Sequence, residues 1–285
     1  MNIPESLLQY ISKSNWGSVV GVKSLHGGGI NSVYLLETEL GPKSVLKTNS
    51  KCPEHMFTRE SEGLYALSAV DGGLRVPEVY NHGGDWILME YIPHSIPATN
   101  YSSLLGEGIA QMHLTVEASF GYPENNFIGS TVQVNTWTED GHVFFAEHRL
   151  LFQGDMARAK GLLSQEDYKL LNRIARRLND FVPSQPASLI HGDLWSGNII
   201  VGPGGVPTII DPATHFGWAE ADLAMTSLFG QLDSEVYIAY EGIRPLIPGY
   251  LDRIDIYNLY HLLNHLNIFG ESYLSHVQTL LRKYG

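Results

Sequence analysis

The chain has 285 residues, 44% of them hydrophobic and 17% charged, with a formal net charge of -12. It is long enough for two lobes with separate cores, and its composition is globular rather than disordered. The acidic balance disfavours nucleic acid and anionic membranes as partners, since both attract basic surfaces. A nucleotide remains compatible, because a metal ion and a few placed cations neutralise its phosphates locally. Cys52 is the only cysteine. No internal disulfide is therefore expected, a reducing compartment is, and the thiol reads as idle or buried. Met1 to Glu5 lacks the basic-then-apolar pattern of a signal peptide, and no apolar run approaches a membrane span, so a cytoplasmic location is expected.

In chain order, Leu7, Leu8 and Ile11 give residues 4–14 the spacing of a short amphipathic helix. Gly21 to Leu25, then His26-Gly27-Gly28-Gly29-Ile30-Asn31-Ser32, then Val33 to Thr38 read as strand, glycine-rich turn and strand. Glycines let backbone amides approach phosphates, which makes Gly28, Gly29 and Asn31 candidate nucleotide contacts. The stretch matches neither G-x-G-x-x-G nor a Walker loop, and a plain hairpin turn reads equally well. On strand 43–48, period-two alternation puts Lys47 on one face with Val45, where a lysine reaches the α- and β-phosphates. The ordinary fate of a strand lysine is solvent. Residues 57–67 carry an apolar stripe of Phe57, Leu64 and Leu67 and read as a helix. Glu60 and Glu62 on it both qualify as partners for Lys47, and spacing does not choose between them. Val76 to Tyr80 and Asp85 to Ile92 read as two strands, the second ended by Pro93. In a nucleotide-binding layout the backbone of Glu90, Tyr91 and Ile92 holds the adenine. The lobe boundary then falls at Pro93, with a nucleotide-binding lobe over 1–92 and a larger lobe over 93–285.

Leu104, Leu105, Ile109, Met112 and Leu114 predict a buried helix over 103–117, with His113 as a packing residue. Residues 121–137 read as a functional loop, too rich in aromatics for disorder. Helices over 144–151 and 165–178 and a Pro183–Pro186 linker lead to the most informative stretch. An apolar run delivers His191-Gly192-Asp193-Leu194-Trp195-Ser196-Gly197-Asn198, and after a β-branched run and a Gly/Pro turn a second such run ends on Asp211. Asp, Asn five positions on, then a strand-end Asp is the order of a kinase catalytic loop and its metal-binding strand. Phosphoryl transfer needs these types: one carboxylate accepts the proton of the attacking hydroxyl, while an amide oxygen and a second carboxylate hold Mg²⁺ against the phosphates of ATP. Taken alone, His-Gly-Asp is a polar hairpin turn. Asp222 precedes an apolar helical run and reads either as an N-cap or as a carboxylate fixing the catalytic-loop backbone. Helical periodicity dominates 233–284. There His261 and His265 have a zinc-compatible i, i+4 spacing but lack the glutamate of H-E-x-x-H and a third ligand.

The chain resembles the fructosamine kinase (ketosamine-3-kinase) family. The carrying residues are Gly27-Gly28-Gly29-Ile30-Asn31, Phe57-x-x-Glu60-x-x-Gly63-Leu64, Asn126-Phe127-Ile128-Gly129, Gln133-x-Asn135, Arg149-Leu150, the octet from His191 to Asn198, and Asp222-Leu223-Ala224-Met225. The resemblance implies an α+β, protein-kinase-like two-lobe fold, with a small β-rich N-lobe and a larger, mostly helical C-lobe. It also implies ATP- and Mg²⁺-dependent phosphorylation of the sugar 3-hydroxyl of a ketosamine, carried on a small amine or a protein lysine, whose product falls apart and frees the amine. By the same resemblance Asp193 is the catalytic base, and Asn198 and Asp211 are the metal ligands. Lys47 is the phosphate lysine with Glu60 as its partner, and Trp195, Asn126 and His215 lie at the sugar site. Gly29, Asn125 and Trp218-Ala219 depart from the common pattern and bear on sugar preference. Gly192 replaces the Arg of H-R-D, which argues against control by activation-loop phosphorylation. A kinase for an aminoglycoside, choline or another small alcohol is the alternative, followed by a silent nucleotide-binding module.

Overall fold

A five-stranded antiparallel sheet organises the first third of the chain in the computed structural model, which describes residues 3–25 and 30–285. The candidates Gly28 and Gly29 lie outside the described residues. Helix α1 (Glu5–Lys13) precedes β1 (Val19–Ser24), β2 (Ser32–Thr38) and β3 (Ser44–Thr48); α2 (Met56–Ser68) precedes β4 (Val79–His82) and β5 (Trp86–Glu90). The spatial order is β1-β2-β3-β5-β4. Period-two alternation gives the sheet two apolar faces. Leu36, Leu46, Trp86 and Leu88 pack with Leu7 and Ile11 of α1, while Ile87, Met89 and Val45 pack with Phe57 and Leu64 of α2. Lys47 pairs in register with Val33 and Ile87 on the α2 side and is only 6% exposed, so it is not a solvent lysine.

The larger part begins with α3 (Tyr101–Leu114), β6 (Val116–Glu117) and the hairpin β7 (Asn126–Ile128)–β8 (Thr131–Gln133). Then α4 (Gly141–Phe145) runs through a π-helical turn, Ala146–Leu151, into α5 (Phe152–Ala159), followed by α6 (Gln165–Arg176) and α7 (Leu178–Phe181). The chain returns through β9 (Ala187–Ile190), β10 (Ile199–Val201), β11 (Pro207–Ile209) and β12 (His215–Gly217). It finishes with α8 (Ala219–Met225), α9 (Ser234–Ile243), α10 (Tyr250–Phe269) and α11 (Leu274–Tyr284). Tyr257, Leu259, Leu262, Leu263 and Leu266 of α10 sit in the largest apolar cluster. Among the described residues no helix is long and apolar enough to cross a membrane.

Two expectations change here. The stretch read as a loop contains a hairpin pairing Asn126 with Gln133, and of its buried side chains, Asn126, Ile128, Thr131 and Gln133, only one is apolar, so no apolar alternation announced it. Asp222 lies inside α8 rather than at its N-cap, which is Trp218.

Candidate active site

A cleft of about 940 Å³ runs between the sheet and the helical part. One wall carries Asn31, Val45, Lys47, Glu60 and Met89 to Ile92; the other carries Asp193, Trp195, Asn198 and Asp211. The second wall is built by a short hairpin. β10 and β11 pair antiparallel with Ile199 opposite Ile209, and the Ile210 N–H donates to the Asn198 carbonyl at 3.0 Å, which brings Asp211 beside Asn198.

The turn after β9 is fixed by a buried carboxylate. Asp222 accepts the backbone N–H groups of His191 at 2.6 Å and of Gly192 at 2.8 Å, and His113 Nε2 at 3.3 Å. Tyr240 meets the other His113 nitrogen at 3.0 Å. Burial alone would raise the Asp222 carboxyl, but its bonds to His113 and the backbone hold it below its ordinary value. His113, read as a packing residue, is buried and also orients this carboxylate. His191 donates Nε2–H to the Ile210 carbonyl at 3.0 Å and accepts the Asp193 N–H on Nδ1 at 3.2 Å. Its partners therefore assign the neutral tautomer, and burial lowers its pKa in the same sense. Gly192 has φ +81°, and a Cβ there would lie 2.2 Å from the Ala213 carbonyl oxygen. Only glycine fits, which accounts for the missing Arg of H-R-D in local terms.

Asn198 donates Nδ2–H to the Asp193 carbonyl at 2.8 Å and to its Oδ2 at 3.1 Å, leaving its own Oδ1 without a protein partner among the described residues. Burial, with the Asp211 charge adding to it, pushes the Asp193 carboxyl up to about 7. Lys47 Nζ meets Glu60 Oε1 at 2.6 Å and also pairs with Asp211. Burial pulls the lysine down, but the Asp211 and Glu60 carboxylates outweigh it and hold the ammonium above its usual value. Glu62 instead takes Arg59 at 2.7 Å, so packing selects Glu60 where spacing does not. Asn198 Oδ1 and the Asp211 carboxylate are two hard oxygen donors on one wall. No group of three His, Cys, Asp or Glu side chains gathers as a metal cage among the described residues.

At the strand end the Glu90 N–H is used by the Glu78 carbonyl at 2.8 Å, and the Glu90 side chain by Arg75 at 2.5 Å. The Tyr91 N–H goes to the Lys43 carbonyl at 3.3 Å. Of the three backbone donors, that of Ile92 alone has no partner among the described residues. Asn31 lines the cleft, but its Oδ1 accepts from Asn49 at 3.0 Å. Trp195 lines the cleft edge-on to Phe229, ring centres 5.8 Å apart.

Two sugar-site expectations do not match the geometry. His215 is 4% exposed and absent from the cleft wall: β12 pairs with β9, and its ring is turned into a separate internal cavity beside Arg149 and Trp218. Asn126 borders the cleft, yet both ends of its amide are consumed. It donates to the Thr214 carbonyl at 2.8 Å and accepts from Gln133 and Asn135, each at 2.8 Å. Sequence reasoning missed the opposite side of the acceptor region, where Phe229, His265, Phe269 and Tyr273 form an aromatic wall continuous with Trp195. His265 donates Nδ1–H to the His261 carbonyl at 2.8 Å within α10. The His265–Phe269 spacing was the one available signal; Phe229 and Tyr273 join from other segments.

A sequence profile described as fructosamine kinase matches residues 6–284. A candidate ketoamine kinase of Synechocystis is 38% identical over 92% of this chain and 89% of its own. The chloroplastic protein-ribulosamine 3-kinase of Oryza sativa subsp. indica is 36% identical over 93% of this chain and 79% of its own. A crystal structure of a fructosamine-3-kinase candidate from Thermobifida fusca superposes with a TM-score of 0.89 at 28% identity, covering 99% of this chain and 98% of that one.

Proposed function

The chain belongs to the fructosamine kinase family, and from that premise we propose that it transfers the γ-phosphoryl group of ATP to the sugar 3-hydroxyl of a ketosamine. The observation that carries this reading is Asp193, a carboxylate pushed up to about 7 and oriented by Asn198 in a cleft it shares with Lys47 and Asp211. A base near neutrality both holds and accepts the proton of a sugar hydroxyl. The hydroxyl oxygen forms the new bond to the γ-phosphorus, the bond to the ADP oxygen breaks, and the proton passes to Asp193. Lys47, kept in place by Glu60 at 2.6 Å, offsets phosphate charge. The Ile92 N–H is the hinge donor left for the adenine.

Mg²⁺ suits the donor set, because it takes one or two carboxylate or amide oxygens and completes its shell with phosphates and water. Asn198 Oδ1 and the Asp211 carboxylate would hold the ion, which when bound would neutralise developing phosphate charge. Trp195 and the aromatic wall provide flat faces for the sugar and its protonated amine. The acceptor is a fructosyl- or ribulosyl-amine, free or on a protein lysine; elimination of inorganic phosphate from the unstable 3-phosphate leaves an imine, and its hydrolysis by water releases the amine and a dicarbonyl sugar. The test is Mg²⁺-dependent ATP consumption across an acceptor panel, with the expected result turnover on ketosamines. Phosphorylation of aminoglycosides or choline with none on ketosamines would overturn this assignment.

A further inference from the structure

Asn126, Gln133, Asn135 and Arg149 share the family motifs yet have no part in the transfer as described. The structure links them. All four are at most 4% exposed. Arg149 donates Nη2–H to Asn135 Oδ1 at 2.8 Å and Nη1–H to the Val134 carbonyl at 2.5 Å. Asn135 donates to Asn126 Oδ1 at 2.8 Å, as does Gln133 Nε2 at the same distance. The Tyr260 hydroxyl donates to Gln133 Oε1 at 2.8 Å, which fixes the flip of that amide. Asn135 spends its other N–H on the Glu124 carbonyl at 3.2 Å, while the remaining donors of the two hairpin amides point to one segment: Gln133 Nε2–H to the Ala213 carbonyl at 3.0 Å, and Asn126 Nδ2–H to the Thr214 carbonyl at 2.8 Å.

Those two carbonyls belong to Ala213 and Thr214, separated from Asp211 only by Pro212. Asp211 has φ +58°, a left-handed conformation that a non-glycine residue holds only when its surroundings impose it. Two further contacts close on the same segment. The Ala213 N–H donates to the His191 carbonyl at 2.8 Å. Thr214 packs on Gly63 of α2 so tightly that a Cβ there would lie 2.9 Å from its Oγ1, one turn beyond Glu60.

We propose that the β7–β8 hairpin is a positioning clamp for Asp211. Its buried amides, aligned by Arg149 and Tyr260, hold residues 211–214 in the backbone conformation that presents the Asp211 carboxylate to the cleft and to Lys47. Asn126 is thus a positioning residue rather than a sugar contact. Because the clamp is buried and made of neutral amides, it offers no exposed site through which modification would release it. The role assigned to Asp211 rests on the function proposed above.

The test uses the full chain with Gln133→Met, which removes the amide at similar volume, and Asn126→Asp, which keeps the acceptor and loses the donor to Thr214. Hydrogen exchange of the protein without nucleotide, metal or acceptor should show the Ala213 amide opening about tenfold faster in both variants. The Mg²⁺ concentration that half-saturates thermal stabilisation by ATP should rise about tenfold, as for other residues that orient a metal ligand. The acceptor KM should stay at the wild-type value. Val277→Ala in α11, a buried core truncation, controls for lost stability. Wild-type exchange and wild-type Mg²⁺ dependence in the variants would overturn the clamp, as would equal changes in Val277→Ala at matched melting temperature. If neither variant folds, Tyr260→Phe, which loses one hydroxyl, decides by a smaller shift in the same direction or by none. Wild-type protein inert towards ketosamines would remove the function reading and leave the exchange result standing, so the two failures are separable.

Discussion

The turn from His191 to Asp193 and the segment from Asp211 to Thr214 lie side by side on one wall of the cleft, joined by the Ala213 N–H to the His191 carbonyl at 2.8 Å, and the protein fixes them by opposite means. In the first, backbone N–H groups are captured by a buried anion, Asp222, at 2.6 and 2.8 Å. In the second, backbone carbonyls are captured by neutral amides at 2.8 and 3.0 Å, with a buried cation, Arg149, behind them. Burial pulls the Arg149 guanidinium down to about 10, still charged at neutral pH, and it lies over the Phe144 ring at 4.5 Å. The difference teaches where charge is tolerated. A charged acceptor stands behind the turn that carries the base, where it binds donors strongly. Behind the metal-binding segment a neutral clamp avoids placing another carboxylate beside Asp211, so that the Asp211 charge stays available for Lys47 and a cation.

The largest expected effect breaks the chemistry and leaves both supports intact. Asp193→Asn should lower kcat roughly a thousandfold, within the range for a lost general base, with the circular dichroism spectrum unchanged; full turnover would remove Asp193 from that role. The same residue sets a pH signature. Its folded-state carboxyl is pushed up to about 7, so the rate should rise with pH through that region and level off above it. Stability runs the other way: the folded protein binds this proton more tightly than the unfolded chain, so the group costs stability above pH 7 and ceases to do so as pH falls through 7 towards the ordinary carboxyl range. Asp193→Asn should therefore be more stable than wild type at pH 8 by about 2 kcal/mol, allowing for partial exposure, with the gain vanishing near pH 4 in urea titrations.

Next in size is the contrast itself. Asp222→Ala strands two backbone donors and His113 and should cost about 3–5 kcal/mol of unfolding free energy. Arg149→Met strands neutral oxygens and should cost about 2 kcal/mol. Equal losses in chemical denaturation would erase the distinction drawn between the two supports. Gly63→Ala, whose Cβ would meet Thr214 Oγ1 at 2.9 Å, should cost about 1–2 kcal/mol through overpacking; its kcat should fall more than its acceptor KM rises, since Glu60 lies on the displaced helix. Smallest is Glu62→Gln, where loss of a partly exposed pair with Arg59 should change stability by under about 0.5 kcal/mol, against a large fall in kcat for Glu60→Gln. Comparable kinetics in the two variants would undo the assignment of Glu60.

Much of the reacting centre was readable from residue order, because Asn198 and Asp211 flank one short hairpin of β-branched strands and Asp193 stands five positions ahead of Asn198, a local signal. Lys47 was readable in part: strand alternation put it on one face with Val45, and the structure then set it between Val33 and Ile87 and buried it. The β7–β8 hairpin was not, since its buried positions are Asn126, Ile128, Thr131 and Gln133, and a single apolar residue among polar ones leaves no hydrophobic period. His215 of β12, expected at the sugar site, pairs with Ile190 and lines a separate internal cavity instead of the cleft, a placement that only strand pairing decides.

By itself, the sequence determined which polar side chains are candidates for the chemistry and their order along the chain: Lys47, Asp193, Asn198 and Asp211, each singled out by its place in a strand or turn. Tertiary structure decided everything that depends on which distant segment arrives alongside. It selected Glu60 over Glu62, chose the loop-fixing reading of Asp222 over the helix cap, and joined Phe229, His265 and Tyr273 into one wall. It also turned Asn126 from the sugar towards the backbone behind Asp211. The reason is physical. Apolar periodicity reports which face of an element is buried, whereas the partner of a buried polar atom is set by geometry across the fold, where residues 80 or more positions apart meet, as Gln133 meets Ala213.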